Sequence, residues 1–189
     1  MNRFITPLAA AALAIGGASA AQADHFYAAS TGHVLAYFAG STAGFDEDLG
    51  LLINGVDTGI YGLQDHSSSY GDMLDFGEAQ AGDELTFFIR VANGPYTWYS
   101  NPDLNSDSFD HIRHQDFAGD SSIPAGTLVM FEDLPGGGDQ NFQDEKFVFT
   151  NVHAVVGGVP EPASWAMMVG GFGLIGGAMR SRKTAPVRA

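Results

Sequence analysis

ELTFFIRVA, at residues 84–92, has the clearest β-strand pattern in the chain. Leu85, Phe87 and Ile89 recur at every second position, which is the spacing of a strand that lies on a hydrophobic core. β-branched and aromatic side chains favour this pleated conformation, and the preceding Ala81-Gly82-Asp83 favours a turn. The run therefore predicts a strand that crosses the core of a β-sheet protein.

Shorter runs of the same kind lie on both sides of it, separated by Gly, Asn, Asp and Pro. Asn54-Gly55 is typical of a tight hairpin turn, and Asn93-Gly94-Pro95 predicts a second hairpin. The predicted strands are residues 34–39, 49–53, 56–61, 84–92, 96–99, 128–131 and 146–152. This pattern predicts an all-β domain, an antiparallel β-sandwich of jelly-roll or immunoglobulin-like topology.

Both ends of the chain carry long apolar runs. Arg3, the apolar residues 4–15 and the small residues that follow predict a secretory signal peptide at 1–23. An apolar run at 163–179, followed by a basic cluster, predicts a single transmembrane helix with its basic end in the cytoplasm. The predicted parts are thus a signal peptide, a β domain at 24–158 and a membrane tail at 159–189.

The charge of the chain is strongly negative, with a formal net charge of −14. Every acidic residue except Glu161 lies in the predicted β domain, where only Arg90, Arg113 and Lys146 oppose them. A field of this sign repels phosphate polymers, which argues against a nucleic-acid partner. There is no cysteine, so disulfides cannot stabilise the domain. Divalent cations bound between the carboxylates would reduce their mutual repulsion.

Two acidic segments offer oxygen ligands for such a cation. In the first, carboxylates and an amide recur at short spacing, as in loops that wrap a hard cation: Asp103, Asn105, Asp107 and Asp110. The segment is not an EF-hand, which would need Gly at Ser108 and Glu at His114. The second is the glycine-rich loop FEDLPGGGDQNFQDE at residues 131–145, whose glycines allow a close approach of the backbone to a ligand.

Signals for catalysis or ligand binding by other side chains are weaker. His111 and His114 with nearby carboxylates could serve a metal-dependent or hydrolytic centre, but no G-x-S-x-G elbow occurs in the chain. Trp98 and its aromatic neighbours fit either a sugar-stacking platform or, more commonly, a hydrophobic core. We therefore expect a non-enzymatic protein.

The tail resembles a known sorting signal. Pro160-Glu161-Pro162, then Trp165-Ala166, a glycine-rich apolar helix and a terminal arginine cluster resemble the PEP-CTERM signal of the PEPxxWA subtype. The resemblance implies export by the Sec machinery and processing by an exosortase at the inner membrane of a Gram-negative bacterium that makes exopolysaccharide. The protein would pass through a membrane-anchored form to the cell surface or extracellular matrix.

The acidic segments resemble the DUF4114 domain, which often has a FEDLxGGGDxDFND pattern before its last strand. The resemblance implies a secreted β-sandwich with a calcium site built from Glu132, Asp133, Asp139 and Asp144, joined by Asp103, Asn105, Asp107 and Asp110. Asn141 and Gln143 depart from the pattern, which implies weaker binding.

Three functions follow as expectations. The first is an exported, exosortase-sorted surface or matrix protein that calcium stabilises. The alternative is a calcium-dependent carbohydrate-binding module that engages exopolysaccharide through Trp98. The third, a secreted hydrolase, has the least support in the sequence.

Overall fold

The computed structural model describes residues 24–92 and 94–156. The predicted signal peptide at 1–23, the sorting motif and the predicted transmembrane helix at 163–179 lie outside these residues. Within them, no helix is long and apolar enough to cross a membrane. Residues 22–157 form one compact unit.

The described residues form strands joined by turns and by two short 3-10 turns, Pro102–Leu104 and Pro135–Gly137. The strands are β1 (Asp24–Ala28), β2 (Gly32–Ser41), β3 (Glu47–Ile53), β4 (Val56–Asp57), β5 (Met73–Ala79), β6 (Glu84–Val91), β7 (Thr97–Tyr99), β8 (Ile112–Phe117), β9 (Gly126–Phe131), β10 (Glu145–Thr150) and β11 (Val152–Val156). The prediction of an all-β domain is confirmed.

The strands make two antiparallel sheets. The first, with six strands, has the order β11-β1-β6-β3-β4, and β7 also pairs with β6. The second, with five strands, has the order β5-β2-β10-β9-β8. The predicted hairpin of the strands around residues 93–95 is confirmed, because Ile89 pairs with Trp98 in an antiparallel register. The choice between jelly-roll and immunoglobulin-like topology stays a prediction.

Aromatic side chains join the two sheets across one core. Phe87 of β6 stacks on Phe149 of β10 with ring centroids 3.8 Å apart, and Phe26 of β1 lies 5.2 Å from Phe87. These rings are buried together with aliphatic side chains from both sheets. Because residues 24–156 bury their own continuous core, we expect the unit 22–157 to fold when produced alone.

Some strand boundaries differ from those predicted. The strand after Asn54-Gly55 ends at Asp57 rather than Tyr61, although Asn54 and Gly55 have the positive φ of a tight turn. The predicted strand 146–152 is divided at Asn151, whose φ of 60° breaks the extended backbone, and β10 and β11 then enter different sheets.

Candidate calcium centre

The glycine-rich loop between β9 and β10 brings three carboxylates together. A carboxylate oxygen of each residue lies within 4.8 Å of a carboxylate oxygen of the other two: Glu132, Asp139 and Asp144. Glu132 and Asp144 are buried, whereas Asp139 is exposed. We call these three residues the loop triad.

Glycine backbone geometry makes this convergence possible. Gly136, Gly137 and Gly138 all have positive φ, a conformation that other residues adopt only with strain. A Cβ at Gly138 would lie 2.8 Å from Oε1 of Glu132, and a Cβ at Gly137 would enter the ring of Phe109. The loop can therefore wrap closely around the carboxylates only because these positions lack side chains.

Hydrogen bonds within the loop fix the triad but do not satisfy it. Glu132 Oε1 accepts from the backbone N–H of Leu134 at 3.2 Å, and Asp144 Oδ1 accepts from Nδ2 of Asn141 at 3.2 Å. Asp139 Oδ1 accepts from the backbone N–H of Asn141 at 3.0 Å. The buried Oε2 of Glu132 has no hydrogen-bond partner within residues 24–92 and 94–156. Carboxylate oxygens that converge in this way suit a hard cation such as calcium.

Burial and like charge both disfavour the ionised form of these groups. The pKa values of Glu132 and Asp144 are raised, first by burial and then by neighbouring carboxylates. The pKa of Asp133 is raised to about 6, again by burial and then by Asp144 and Glu132. A divalent cation would remove this repulsion.

Asp133, the fourth ligand predicted in this loop, lies beside the triad and is not one of its converging groups. It is buried, and its backbone carbonyl accepts a hydrogen bond from Nε1 of Trp98 at 2.6 Å. The residue thus anchors the loop to the core.

The upstream segment, whose part in a calcium site stays a prediction, makes hydrogen bonds and an ion pair of its own. Asn105 is buried and uses its amide on the backbone of Tyr99 and Phe109. Asp110 pairs with Arg113 at 3.0 Å.

Of the remaining predicted ligands in this segment, one touches the glycine-rich loop. Asp107 Oδ2 accepts from the backbone N–H of Gly136 at 2.7 Å and lies 3.0 Å from Nε2 of His111. These bonds hold the pKa of Asp107 below its usual range, against the opposing effect of burial. Asp103 is exposed and lies in a 3-10 turn.

Trp98 is a core residue, which confirms the more common of the two interpretations of this strand, and its buried indole is not accessible for stacking on a sugar. Only 1% of the residue is exposed, and its ring stacks on His111 with centroids 3.9 Å apart. Tyr96, whose ring stacks on that of Trp98 with centroids 5.1 Å apart, is 40% exposed. Tyr96, and not Trp98, therefore offers an accessible aromatic ring here.

His111 and His114 do not form a shared centre among the described residues. His111 is fully buried and its Nδ1 lies 2.7 Å from the carbonyl of Glu132. His114 pairs with Asp24 of β1 at 2.8 Å. Neither histidine is in a group of side chains that could hold a metal ion within the described residues.

Sequence reasoning missed a second set of buried carboxylates behind the loop. Glu47 and Glu145 are at most 1% exposed, and Asp65 is also buried. Burial, together with the negative charge of neighbouring carboxylates, raises the pKa of Glu47 to about 9 and that of Glu145 to about 10. Glu145 directly follows Asp144, but nothing in the sequence signals that Glu47 lies in the same region.

The comparison with known families concerns the tail. Residues 158–183 match the family model of the PEP-CTERM protein-sorting motif. The predicted sorting residues Pro160, Glu161, Pro162, Trp165 and Ala166 lie inside this match. The chain therefore carries the sorting signal of an exported protein that an exosortase processes at the membrane. No curated protein matches the chain, and the resemblance of the β domain to DUF4114 stays a prediction.

Proposed function

We propose that this chain is a non-enzymatic surface or matrix protein whose acidic β-sandwich is stabilised by calcium at the loop triad. The Sec machinery would export it, and the tail would anchor it in the inner membrane of a Gram-negative bacterium until an exosortase processes it. Outside the cytoplasm, where calcium is commonly abundant, the ion would stabilise the domain in place of disulfides, because the chain has no cysteine.

One observation carries the calcium proposal. Three carboxylates from one loop converge within 4.8 Å, and a buried oxygen of Glu132 has no hydrogen-bond partner in the part of the chain that the structure describes. A buried carboxylate without a partner costs several kcal/mol, roughly, unless a proton or a cation compensates its charge. The ligands are all oxygens, which favours calcium over zinc or copper.

We expect Asp139→Asn to weaken calcium binding by about tenfold or more, since the loss of a charged ligand costs about 1.4 kcal/mol or more. Terbium, a luminescent calcium substitute, can report binding because Trp98 is the only tryptophan in residues 24–156 and its Nε1 lies 2.6 Å from the carbonyl of Asp133. Calcium affinity is measured by displacement of terbium.

Asp103→Asn is the matched control, because Asp103 is equally an exposed aspartate in an acidic loop but lies outside the triad. It should leave the affinity unchanged. Equal affinities for the wild type and Asp139→Asn would rule out the triad as the binding site.

A second candidate function is the binding of exopolysaccharide. An apolar cleft of about 250 Å³ lies beside the loop and is lined by Phe45, Val91, Gly94, Pro95, Tyr96, Asp133, Leu134 and Pro135. Tyr96 and Phe45 are partly exposed, and sugars commonly pack against such rings, which combine an apolar face with a polar edge. Asp133, which lines the cleft and belongs to the same glycine-rich loop as the triad, would couple this cleft to calcium.

For this candidate we expect Tyr96→Ala to reduce retention of the domain on the exopolysaccharide of the producing cell by about tenfold, a loss of about 1.4 kcal/mol. Affinity electrophoresis in calcium measures the retention. Tyr70→Ala is the control, because Tyr70 is also exposed but lies outside the cleft. Retention that Tyr96→Ala leaves unchanged would exclude the cleft.

A further inference from the structure

We propose that Glu47 and Glu145 form, together with Asp65, a second divalent-cation site in the interior of the domain, separate from the loop triad. We call Glu47 and Glu145 the interior pair. The site would take calcium, and the inference does not depend on the loop triad or on the proposed function.

The fold brings the interior pair together from different sheets. Glu47 is the first residue of β3 in the six-stranded sheet, and Glu145 is the first residue of β10 in the five-stranded sheet. Asp65 joins them from the loop after β4, where its Oδ1 accepts from the backbone N–H of Glu47 at 3.2 Å. The negative charges of Glu47 and Asp65 both act on Glu145.

The carboxylates of the interior pair are buried and unsatisfied. Both oxygens of Glu47 and both oxygens of Glu145 lack hydrogen-bond partners among the described residues, and the two residues are at most 1% exposed. Native proteins rarely leave buried polar atoms without partners, and each such group requires a specific explanation. A missing ligand is one such explanation.

The two arginines of the described residues are engaged elsewhere. Arg90 pairs with Asp48 at 3.1 Å and Arg113 pairs with Asp110. Lys146 of β10 lies beside Gly40 of β2, the strand that pairs with β10. No ion pair between Arg or Lys and the interior pair occurs in the described part of the chain. Compensation must therefore come from protons or from a bound ion.

The donor set favours a bound hard cation. The candidate donors Glu47, Asp65 and Glu145 are all carboxylates and come from separate segments of the chain, and calcium prefers oxygen ligands of this kind. On the surface side, the partly exposed Asp46 and His66 adjoin Asp65, and these three side chains place ligand atoms within 4.8 Å of one another. The Nδ1 atom of His66 lies 3.1 Å from Oδ2 of Asp65.

The number of calcium ions per chain tests the inference. Calcium bound to the unit 22–157 is measured by equilibrium dialysis and metal analysis at pH 8. We expect two ions for the wild type, one for the Glu47→Gln/Glu145→Gln variant, and one for a Glu132→Gln/Asp139→Asn variant. Gln preserves the shape and removes the charge, so the first variant should also unfold at a higher temperature than the wild type in EDTA, which verifies that it folds.

The possible outcomes separate the two sites. The wild type could bind a single ion that the Glu47→Gln/Glu145→Gln variant keeps and the Glu132→Gln/Asp139→Asn variant loses. That result would overturn this inference and leave the loop triad as the binding site. A single ion that the Glu47→Gln/Glu145→Gln variant loses and the Glu132→Gln/Asp139→Asn variant keeps would support the interior site and overturn the loop triad. The absence of bound calcium in the wild type would overturn both.

Discussion

In EDTA, the unit 22–157 should be more stable at pH 5 than at pH 8. The cause is the interior pair, because burial raises the pKa of Glu47 from 4.5 to about 9 and that of Glu145 from 4.5 to about 10. Between pH 4.5 and these raised pKa values, the folded state holds protons that the unfolded chain has released. The stability that these protons contribute is therefore fully present below about pH 4.5 and is lost as the pH rises through the raised pKa values.

Other titrating groups do not reverse this trend. Hydrogen bonds to Asp75 and Asp46 raise the pKa values of His33 and His66, which acts in the same direction, and both histidines are exposed. The lowered pKa values of Asp75 and Asp107 affect stability only in acid, below about pH 4, the usual value for aspartate.

Chemical denaturation from pH 5 to pH 8 measures the effect. The control is Glu47→Gln/Glu145→Gln, which removes both titrating groups and should flatten the profile. A wild-type stability that rises with pH in EDTA would mean that the interior pair is ionised and otherwise compensated in the metal-free domain.

Replacement of Trp98 by alanine should destabilise the domain by about 3–5 kcal/mol, the usual loss for a large aromatic residue in a core. Trp98 is the largest of the fully buried side chains. The substitution removes its stacking on His111 and its hydrogen bond to the carbonyl of Asp133. We therefore also expect weaker calcium binding, since the glycine-rich loop loses its anchor.

Guanidinium unfolding in saturating calcium, followed by circular dichroism, measures this loss. Tyr96→Ala is the matched control: it removes the neighbouring ring, which is 40% exposed, and should cost less than about 1 kcal/mol because surface substitutions have small effects. A loss below about 1 kcal/mol for Trp98→Ala would contradict the core role of this residue.

Much of the fold could be predicted because the central strands carry strong local patterns. The alternation of Leu85, Phe87 and Ile89 corresponds to three buried side chains, and the turn at Asn54-Gly55 has the expected positive φ values. β5 and β8 escaped prediction because charged residues interrupt them, as in MLDFGEA and IRHQDF. Their partners in the sheet, rather than their own composition, make them strands.

The candidate site was only partly predictable for a related reason. Glu132, Asp139 and Asp144 lie in one loop, so their proximity follows from a short stretch of sequence. Glu47 lies far from Glu145 along the chain, and only the pairing of strands in two different sheets brings them into one region. Asp110 has the spacing of a ligand, and its ion pair with Arg113, three residues further along the chain, did not follow from that spacing.

The most direct test of calcium stabilisation is the thermal unfolding of the unit 22–157 at pH 8, in EDTA and in millimolar calcium. A cation that binds only the folded state must raise its stability, by about 2.7 kcal/mol at a free concentration one hundred times Kd. We predict a clear upward shift of the midpoint with calcium, a smaller one with magnesium, and a reduced calcium shift in Asp139→Asn. Identical midpoints in EDTA and calcium would contradict the proposal that calcium stabilises this domain.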